Sequence, residues 1–319
     1  MSAWTDPTWL ATEHSWIRVQ LDRLGIAADG PIEQPHVRPW STVIRVPTGD
    51  GAVWFKANRA GEAHEAAVVD VLSRRRPDCV DVPLALDPER GWMLLRDAGV
   101  RLREVVERDR DLDRWNEILA RYGQLQIDAA ADVGELIARG VPDRRLATLA
   151  DRFDALLGAG GGLPGELLEQ LAPHADGVRE GCRRLASLGI PETIEHGDLH
   201  DGQVFLRPGG CRFADWGDAH VSHPFFTMSV TLEGVLSWGL DGVQGSQDTR
   251  VFAASYLAPF ECYATRPELE AALATALRLG WVCHGLNTLE AAAAYDPEHQ
   301  PEQVERAAVH LRMFLDPHT

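Results

Sequence analysis

The strongest constraint on the fold is a change of sequence pattern about a third of the way along the chain. Before it, short apolar segments are separated by turns rich in Gly and Pro. Segments 42–46 and 52–57, for example, flank turn residues 47–51, as in a β-hairpin. After it, apolar residues recur mostly at helical spacing. The change predicts an α+β chain with a small antiparallel-sheet part, residues 1–98, and a larger, mainly helical part, residues 99–319.

The periodicity also predicts individual elements. In the first part, helices are expected over 8–24, ending at Gly25, and over 61–75, with two further strands near 82–86 and 92–95. In the second part, helical patterns lie around 112–130, 166–188, 248–263, 268–294 and 301–315. They are interrupted by strand-like sequence at 203–215, which predicts a second hairpin.

Composition narrows the class of protein. The chain has 319 residues and a net charge of −17, and its sequence contains neither a basic stripe nor a basic helix, so nucleic acid and anionic membranes are not expected partners. No apolar run approaches the ~20 residues of a membrane span, and the first residues do not resemble a secretory signal. Five scattered cysteines without a CxxC pair indicate free thiols. A cytoplasmic protein is therefore expected.

Lys56 is the only lysine in the chain, since the 31 basic residues are otherwise all arginine. Codon bias toward arginine explains the loss of surface lysines, because the two residues are interchangeable where solvent surrounds them. They are not interchangeable where a compact ammonium point charge is needed. The survival of Lys56 therefore favours a functional role over chance.

Chemically capable side chains concentrate in two neighbouring segments, 195–203 (EHGDLHDGQ) and 215–218 (DWGD). A hairpin between them, centred on Gly209, places Gln203 opposite Asp215, with Cβ atoms roughly 5 Å apart. An amide oxygen and a carboxylate at that spacing can share Mg²⁺, which prefers oxygen ligands. Asp198 precedes this pair on a loop, where its carboxylate can reach a reacting hydroxyl.

His196-Gly197-Asp198, Gln203 and Asp215-Trp216-Gly217 together resemble the aminoglycoside phosphotransferase and choline kinase-like family. The resemblance implies a bilobal protein-kinase-like fold, with a nucleotide-binding lobe over 1–98 and a helical lobe over 99–319 carrying the catalytic loop and substrate pocket. It implies ATP and Mg²⁺ as cofactors, Asp198 as catalytic base, and Gln203 and Asp215 as metal ligands. The usual motif has Asn where this chain has Gln203, a form similar to the maltokinase and bacterial glucosamine kinase branches.

Such a kinase requires a lysine on a small-lobe strand and a glutamate on the next helix to position the phosphates. Lys56 ends the strand 53–55, and Glu65 lies on the apolar stripe of the following helix, which is expected to face the sheet. A carboxylate on a buried stripe needs a cationic partner, and Lys56 is the natural one. Glu62, one turn earlier, is the alternative partner.

The segment 94–97 links the two parts. By the same resemblance it is the hinge that binds adenine through its backbone, which makes Leu94 and Asp97 cofactor-binding candidates. Its apolar residues are equally consistent with burial in the hydrophobic core and no role in binding.

The acceptor pocket is expected between the loop 216–224 and the helices beyond it, because in-line transfer needs a hydroxyl near Asp198. Asp218, Glu233 and Trp238 are the substrate-binding candidates, with Asp241 and Glu261 as further carboxylates. Carboxylates there favour a cationic acceptor, an aminoglycoside or amino sugar. A small-molecule kinase of this kind is expected as a monomer or homodimer.

Two other classes stay open. The His and Asp residues at 196–223 are suited to a metal-dependent hydrolase, although they lack the HExxH spacing and leave Lys56 and Glu65 unexplained. A catalytically silent nucleotide-binding module is the other alternative, and the complete set of lysine, base and metal ligands is evidence against it.

Overall fold

The first helix follows directly from its capping residues. The computed structural model of the chain describes residues 3–316, and its helix α1 spans Pro7–Leu24. The Asp6 side chain accepts hydrogen bonds from the backbone N–H groups of Thr8 and Trp9, which satisfies the helix N-terminus. Gly25 ends the helix with φ +67°, a left-handed conformation that costs glycine little. This confirms the predicted helix.

An antiparallel sheet follows α1. Its strands are β1 (Glu33–Val37), β2 (Ser41–Thr48), β3 (Gly51–Asn58), β4 (Ala85–Asp87) and β5 (Trp92–Arg96), arranged in the order β1-β2-β3-β5-β4. The predicted hairpin is present, but its strands pair as far as Thr48 with Gly51, so the turn is tighter than 47–51. The strand predicted near 82–86 begins later, at Ala85.

Aromatic side chains fill the space between α1 and the sheet. Trp16 packs edge-on against Phe55 and Trp92 with ring centroids 5.7 and 5.8 Å apart, and Phe55 and Trp92 are 5.5 Å from each other. Ile17 and Ile44 are fully buried beside them. Tight packing of large rings fixes the face of β3 that is turned toward α1.

The helix after β3 is shorter than predicted. A 3₁₀ turn occupies Ala60–Glu62, and the α-helix α2 spans only Glu65–Arg75. Its buried face belongs to the large hydrophobic core shared with the helical part, rather than to the aromatic core between α1 and the sheet. That core also contains Met93 of β5, and Glu65 contacts Lys56 of β3, so the stripe faces the side of the sheet away from α1 as well as the helical part.

The remainder of the chain is mostly helical. Its helices are α3 (Leu102–Asp109), α4 (Arg114–Ala129), α5 (Val133–Ala138), α6 (Leu146–Ala159), α7 (Gly165–Leu171), α8 (Ala175–Ala186), α9 (Arg250–Leu257), α10 (Arg266–Ala292) and α11 (Gln300–Leu315), with a π-helical segment at Ser229–Val235. The periodicity missed α3, α5 and α6. The helix predicted over 248–263 is α-helical only over Arg250–Leu257 and continues as a 3₁₀ segment over Ala258–Cys262. The boundary at residue 98 stays a prediction.

Short strands hold the segments that carry the motifs. They are β6 (Val100–Arg101), β7 (Thr193–Glu195), β8 (Val204–Arg207), β9 (Gly210–Phe213) and β10 (His220–Ser222). Strand β7 pairs with β10, Glu195 opposite His220, while β8 pairs with both β6 and β9. The loop after β7 and the loop before β10 therefore lie side by side.

The second hairpin has a register one residue away from the prediction. Its turn contains only two residues, because Arg207 pairs with Gly210 and Val204 with Phe213. Gln203 consequently lies opposite Ala214, whose N–H donates to the Gln203 carbonyl at 2.9 Å, and not opposite Asp215.

None of the helices over residues 3–316 combines the length and the apolar character that a membrane span requires.

Candidate active site

Lys56 lies at the centre of a cluster of polar side chains. It belongs to β3, between Val43 of β2 and Met93 of β5. Its Nζ lies 2.8 Å from Glu65 Oε2 and also donates to Asp215 Oδ1. The first lysine contact is the predicted strand-to-helix pair, and the second joins the small sheet to the loop after β9.

Glu65 serves as the junction between three segments. Besides Lys56, its carboxylate accepts hydrogen bonds from the Asn58 side chain and from the backbone N–H of Trp216, the latter at 3.0 Å. Only 2% of the Glu65 side chain is exposed. Glu62, the alternative partner, forms its ion pair with Arg59 at 2.9 Å instead. The structure thus pairs Lys56 with Glu65.

Asp215 meets Gln203 despite the shifted register. Asp215 is one of the non-glycine residues with positive φ, +64°, a conformation that costs energy. Gln203 Nε2 donates to Asp215 Oδ2 at 3.0 Å. The two predicted metal-ligand side chains are therefore adjacent, although their residues are not the cross-strand pair expected.

Asp198 is held by a tightly packed loop. Gly197 has φ +79°, and a Cβ atom at this position would lie 2.5 Å from the Asp218 carbonyl oxygen, so only glycine fits. His196 is buried, packs against Trp216 in a tilted arrangement with centroids 4.6 Å apart, and donates through Nε2 to the Ala214 carbonyl at 3.0 Å. His196 is thus a structural residue that connects the two loops.

The carboxylates of the cluster differ in their electrostatics. Burial acts to raise the pKa of Asp215, but Lys56 and the Gln203 hydrogen bond outweigh it and lower this pKa to about 2. Burial also opposes the charge on Lys56, yet Asp215 and Glu65 hold its pKa above the ordinary value. The pKa of Asp198 is raised by burial and by the neighbouring Asp218 carboxylate. Asp215 is accordingly a permanent anion, and Asp198 is the more basic group.

A buried network anchors the loop from below. Gln126 of α4 donates to Glu195 Oε1 at 2.9 Å, Thr227 donates to Glu195 Oε2, and the His196 N–H donates to the Tyr122 hydroxyl at 3.0 Å. Burial raises the pKa of Glu195, while the hydrogen bonds from Thr227 and Gln126 act to lower it. The sequence reasoning missed this residue; an acid immediately before the motif and inside a strand was its only signal.

A cavity of about 460 Å³ opens beside Asp198. Asp198 and Asp218 line it together with residues of the segment 229–238, α10 and α11. The lining residues from these three elements include Trp238, Trp281, His284, Arg306 and His310. Most of these were missed, because nothing in a single sequence shows that the last two helices return to the catalytic loop.

The predicted substrate residues are only partly brought together. Asp218 and Trp238 line the cavity, and Trp238 is 42% exposed. Glu233 does not line it and accepts a hydrogen bond from the Trp281 indole N–H at 2.5 Å. Asp241 lies beside Arg110 at the surface, and Glu261 pairs with Arg266 at 2.6 Å. These are surface ion pairs and not parts of the cavity lining.

The connector 94–97 is strongly hydrogen-bonded within the protein. The Leu94 carbonyl accepts from the Leu84 N–H at 2.7 Å, and Leu94 is fully buried in the sheet. The Asp97 carboxylate accepts from the Trp54 indole at 3.1 Å and from the Gly99 N–H at 2.9 Å. The Leu94 and Asp97 side chains therefore stabilise the connector. A contact with an adenine base would have to come from backbone groups after Leu94.

The histidines that suggested a hydrolase make structural contacts. His220 is buried and lies 3.1 Å from the Asp218 carbonyl, and His223 packs between Phe225 and Phe226. Within residues 3–316, no three or more His, Cys, Asp or Glu side chains are arranged to hold a metal ion. The geometry therefore does not favour the hydrolase interpretation.

Comparison with known proteins gives matches at the level of three-dimensional structure. No family model and no curated protein matches the sequence. A macrolide 2′-phosphotransferase of Brachybacterium faecium has a TM-score of 0.58 at 18% identity, covering 93% of this chain and 98% of its own. A choline/ethanolamine kinase family protein of Mesorhizobium loti has a TM-score of 0.61 at 15% identity, covering 96% and 95%.

A third similar structure is a thermostable mutant of the aminoglycoside phosphotransferase APH(4)-Ia, solved as a ternary complex with AMP-PNP and hygromycin B. It has a TM-score of 0.57 at 15% identity and covers 95% of this chain and 98% of its own. Coverage is thus nearly complete in all three comparisons, while sequence identity is low. The chain has the bilobal, α+β protein-kinase-like fold that these phosphotransferases share.

Proposed function

We propose that this protein is an ATP- and Mg²⁺-dependent phosphotransferase that moves the γ-phosphate to a hydroxyl group of a small molecule. The observation that carries the proposal is the position of Lys56, whose ammonium contacts both Glu65 and Asp215. Asp215 in turn contacts Gln203, and Asp198 borders a cavity beside them. The cluster thus contains a compact cation in Lys56, two side chains with oxygen ligands for Mg²⁺, and a carboxylate base in Asp198. These are the groups that phosphoryl transfer requires.

Lys56 and Glu65 form the nucleotide-binding part of the proposed site. Glu65 orients the ammonium, which binds the α- and β-phosphates as a compact cation. The adenine base is assigned to the connector 94–97, where Leu94 and Asp97 shape the backbone. The neighbours in complex with AMP-PNP and with ADP support nucleotide binding by this fold.

Asp215 and Gln203 are the proposed ligands for Mg²⁺. Both offer hard oxygen atoms, the donor type that this ion prefers, and their side chains already touch. The low pKa of Asp215 keeps its carboxylate charged under all ordinary conditions. Two protein ligands are the usual share for an ion that also binds phosphates. When bound, Mg²⁺ neutralises charge on the phosphates.

Asp198 is the proposed base. Its carboxylate borders the cavity, and its raised pKa increases its tendency to accept the proton of an acceptor hydroxyl. His200 Nε2 lies 3.6 Å from Asp198 Oδ2 and restricts the carboxylate. In this assignment Asp198 orients the hydroxyl and receives its proton as the acceptor oxygen bonds to the γ-phosphorus. The bond between the γ-phosphorus and the β–γ bridging oxygen breaks, and ADP departs with that oxygen.

A panel of acceptors tests the proposal. Aminoglycosides, amino sugars, neutral sugars and choline are each incubated with Mg-ATP, and ADP release is measured for the wild type and for Asp198→Asn. At least one acceptor is expected to stimulate release above the rate with water, and Asp198→Asn is expected to abolish that stimulation. Tight Mg-ATP binding with no stimulated release by any acceptor would favour the silent nucleotide-binding module.

The sequence-based preference for an aminoglycoside or amino sugar requires carboxylates around the acceptor. Of the four carboxylates named for that purpose, only Asp218 lines the cavity. The similarity to the maltokinase and glucosamine kinase branches stays a prediction, because the neighbours described above are macrolide, aminoglycoside and choline/ethanolamine phosphotransferases.

A further inference from the structure

A second ion pair lies near the catalytic cluster and has no part in the mechanism described above. Arg59 follows strand β3, and its guanidinium donates to both carboxylate oxygens of Glu62, at 2.9 and 3.0 Å. Only 13% of the Arg59 side chain and 15% of the Glu62 side chain are exposed. Taking two charges out of water is costly, and apolar side chains of similar size often stabilise a fold equally well. Stability alone is therefore a poor explanation for this pair.

The guanidinium of Arg59 also contacts the end of the chain's longest helix. Its Cζ atom lies 3.4 Å from the ring centroid of Tyr295, which belongs to the connection between α10 and α11. A guanidinium over an aromatic ring is attracted by the π electrons of the ring, most strongly where water is excluded. Gly61 lies in the same contact, because a Cβ atom there would be 3.9 Å from Ala294 Cβ. The loop before α2 therefore packs against the connection between α10 and α11.

Glu62 and Tyr295 both line the cavity that Asp198 and Asp218 line. Among the described lining residues, Glu62 is the only one that comes from the part of the chain containing the five-stranded sheet. Burial raises the pKa of Glu62 to about 7 against the effect of its ion pair, and the Asp218 carboxylate adds to the rise. Glu62 is therefore close enough to Asp218 for their charges to interact. The cavity thus receives a carboxylate from the same part of the chain as Lys56.

The Glu62 carboxylate has hydrogen-bonding capacity that the described residues do not use. A carboxylate oxygen can accept about two hydrogen bonds, and each oxygen of Glu62 accepts one, from Arg59. The raised pKa shows that one guanidinium does not offset the burial of this carboxylate. A further donor, supplied by a molecule in the cavity, would stabilise the charged form.

The position of Glu62 is connected to the Lys56–Glu65 ion pair. The side-chain amide of Asn58 donates to the Glu62 carbonyl at 3.2 Å and also to the Glu65 carboxylate. Glu65 contacts Lys56 at 2.8 Å. One amide therefore fixes the backbone of Glu62 relative to the side chains proposed to position the phosphates. A ligand group bound by Glu62 would have a defined position relative to the nucleotide.

We infer that Glu62 binds an O–H or N–H group of the phosphate acceptor, and that Arg59 and Tyr295 are positioning residues that hold its carboxylate at the cavity. This inference rests on the proposed phosphotransferase function. The acceptor site is then built from two parts of the chain, with Asp198 supplied by the helical part and Glu62 by the part containing the sheet. An acceptor bound at both points presents one hydroxyl to Asp198 in a fixed orientation, as in-line transfer requires.

The test measures KM and kcat for Glu62→Gln with each of kanamycin, glucosamine, glucose and choline that stimulates ADP release from Mg-ATP. The KM of the acceptor is expected to rise about tenfold or more, the loss of one charge-assisted hydrogen bond, while KM for ATP stays within about twofold. Glu305→Gln is the matched control, because Glu305 is an exposed acid paired with Arg312 and does not line the cavity. A rise that includes glucose assigns a hydroxyl donor, and a rise confined to the amine-bearing acceptors assigns an ammonium donor.

A pair of Tyr295 variants tests the positioning role. Tyr295→Phe keeps the ring beside Arg59 and is expected to behave like the wild type, whereas Tyr295→Leu removes the ring and is expected to raise the KM of the acceptor about fivefold with KM for ATP unchanged. This pair also carries the test if Glu62→Gln does not fold, and an unchanged acceptor KM in Tyr295→Leu then overturns the inference.

An unchanged acceptor KM in folded Glu62→Gln overturns the inference, because the Arg59–Glu62 pair would then have a purely structural role. Equal rises in KM for the acceptor and for ATP overturn it as well. A wild type that releases no additional ADP with any of the four acceptors would instead refute the proposed function.

Discussion

Replacing Lys56 with methionine separates the stabilising role of the central ion pair from its proposed role in binding nucleotide. Methionine keeps much of the length and the apolar stem but deletes the charge. At 2.8 Å and an effective dielectric constant of about 20, the Lys56–Glu65 attraction is roughly 6 kcal/mol before desolvation is subtracted. Only 12% of the Lys56 side chain and 2% of the Glu65 side chain are exposed, so the variant strands a buried carboxylate.

Breaking such a pair on one side typically costs about 3–5 kcal/mol. The lower end applies here, because Glu65 keeps hydrogen bonds from Asn58 and from the Trp216 N–H. The Asp215 carboxylate also raises the pKa of Lys56, but half of the Asp215 side chain is exposed, so solvent screens this carboxylate once the ammonium is removed. We therefore expect Lys56→Met to lower the free energy of unfolding by about 3 kcal/mol and to abolish measurable Mg-ATP binding.

Urea denaturation and calorimetric titration with Mg-ATP measure the two effects. The double variant Lys56→Met/Glu65→Gln is expected to recover about half of the lost stability, because the stranded charge is gone, but none of the nucleotide affinity. Arg45→Met is a matched control in β2, where the pair with Glu33 is exposed and is worth less than about 1 kcal/mol. A loss below 1 kcal/mol in Lys56→Met, or nucleotide binding restored in the double variant, would refute this reasoning.

Three further changes test other parts of the structure. Burial raises the pKa of Glu13 from 4.5 to about 8, so the folded state loses stability as pH rises from 4.5 toward 8. Glu13→Gln is therefore expected to raise the free energy of unfolding by about 2–3 kcal/mol at pH 7 and to leave it unchanged below pH 4.5. Urea titrations across this pH range measure the difference. Glu195 accepts hydrogen bonds from Gln126 and Thr227, so Glu195→Ala strands both donors and is expected to lower the free energy of unfolding by about 1–3 kcal/mol in the same assay. Gly197→Ala places a Cβ atom 2.5 Å from the Asp218 carbonyl oxygen at a residue with φ +79°. Turnover is expected to fall at least tenfold, while the affinity for Mg-ATP is retained. Unchanged kinetics would show that the loop tolerates displacement.

Local signals in the sequence were sufficient to predict the Lys56–Glu65 pair. The lone lysine on a strand and the acid on the apolar stripe of the next helix are both features of short segments, while their role in binding nucleotide stays a prediction. The capping residues of α1 are equally local. Such features depend on a few consecutive residues, and these residues carry their own physical reason for the structure they adopt.

Predictions failed where geometry depends on distant parts of the chain or on unusual backbone conformations. The hairpin register differs by one residue from the prediction because its turn contains two residues, and Asp215, which contacts Gln203, adopts a positive φ. Neither feature leaves a clear trace in composition. The helical core that α2 joins, and the lining that α10 and α11 add to the cavity, both depend on tertiary packing.

Mg²⁺-dependent nucleotide binding by Asp215→Asn and Asp198→Asn tests the central assignment most directly. Calorimetric titration with ATP, with and without Mg²⁺, is combined with ADP release in the presence of the best acceptor. We expect Asp215→Asn to lose the Mg²⁺-dependent part of the affinity. Asp198→Asn is expected to bind Mg-ATP like the wild type but to release ADP slower by a factor on the order of 10² or more. Equal losses of binding and turnover in both variants, or ATP affinity that Mg²⁺ does not change in the wild type, would contradict the division of roles between these two carboxylates.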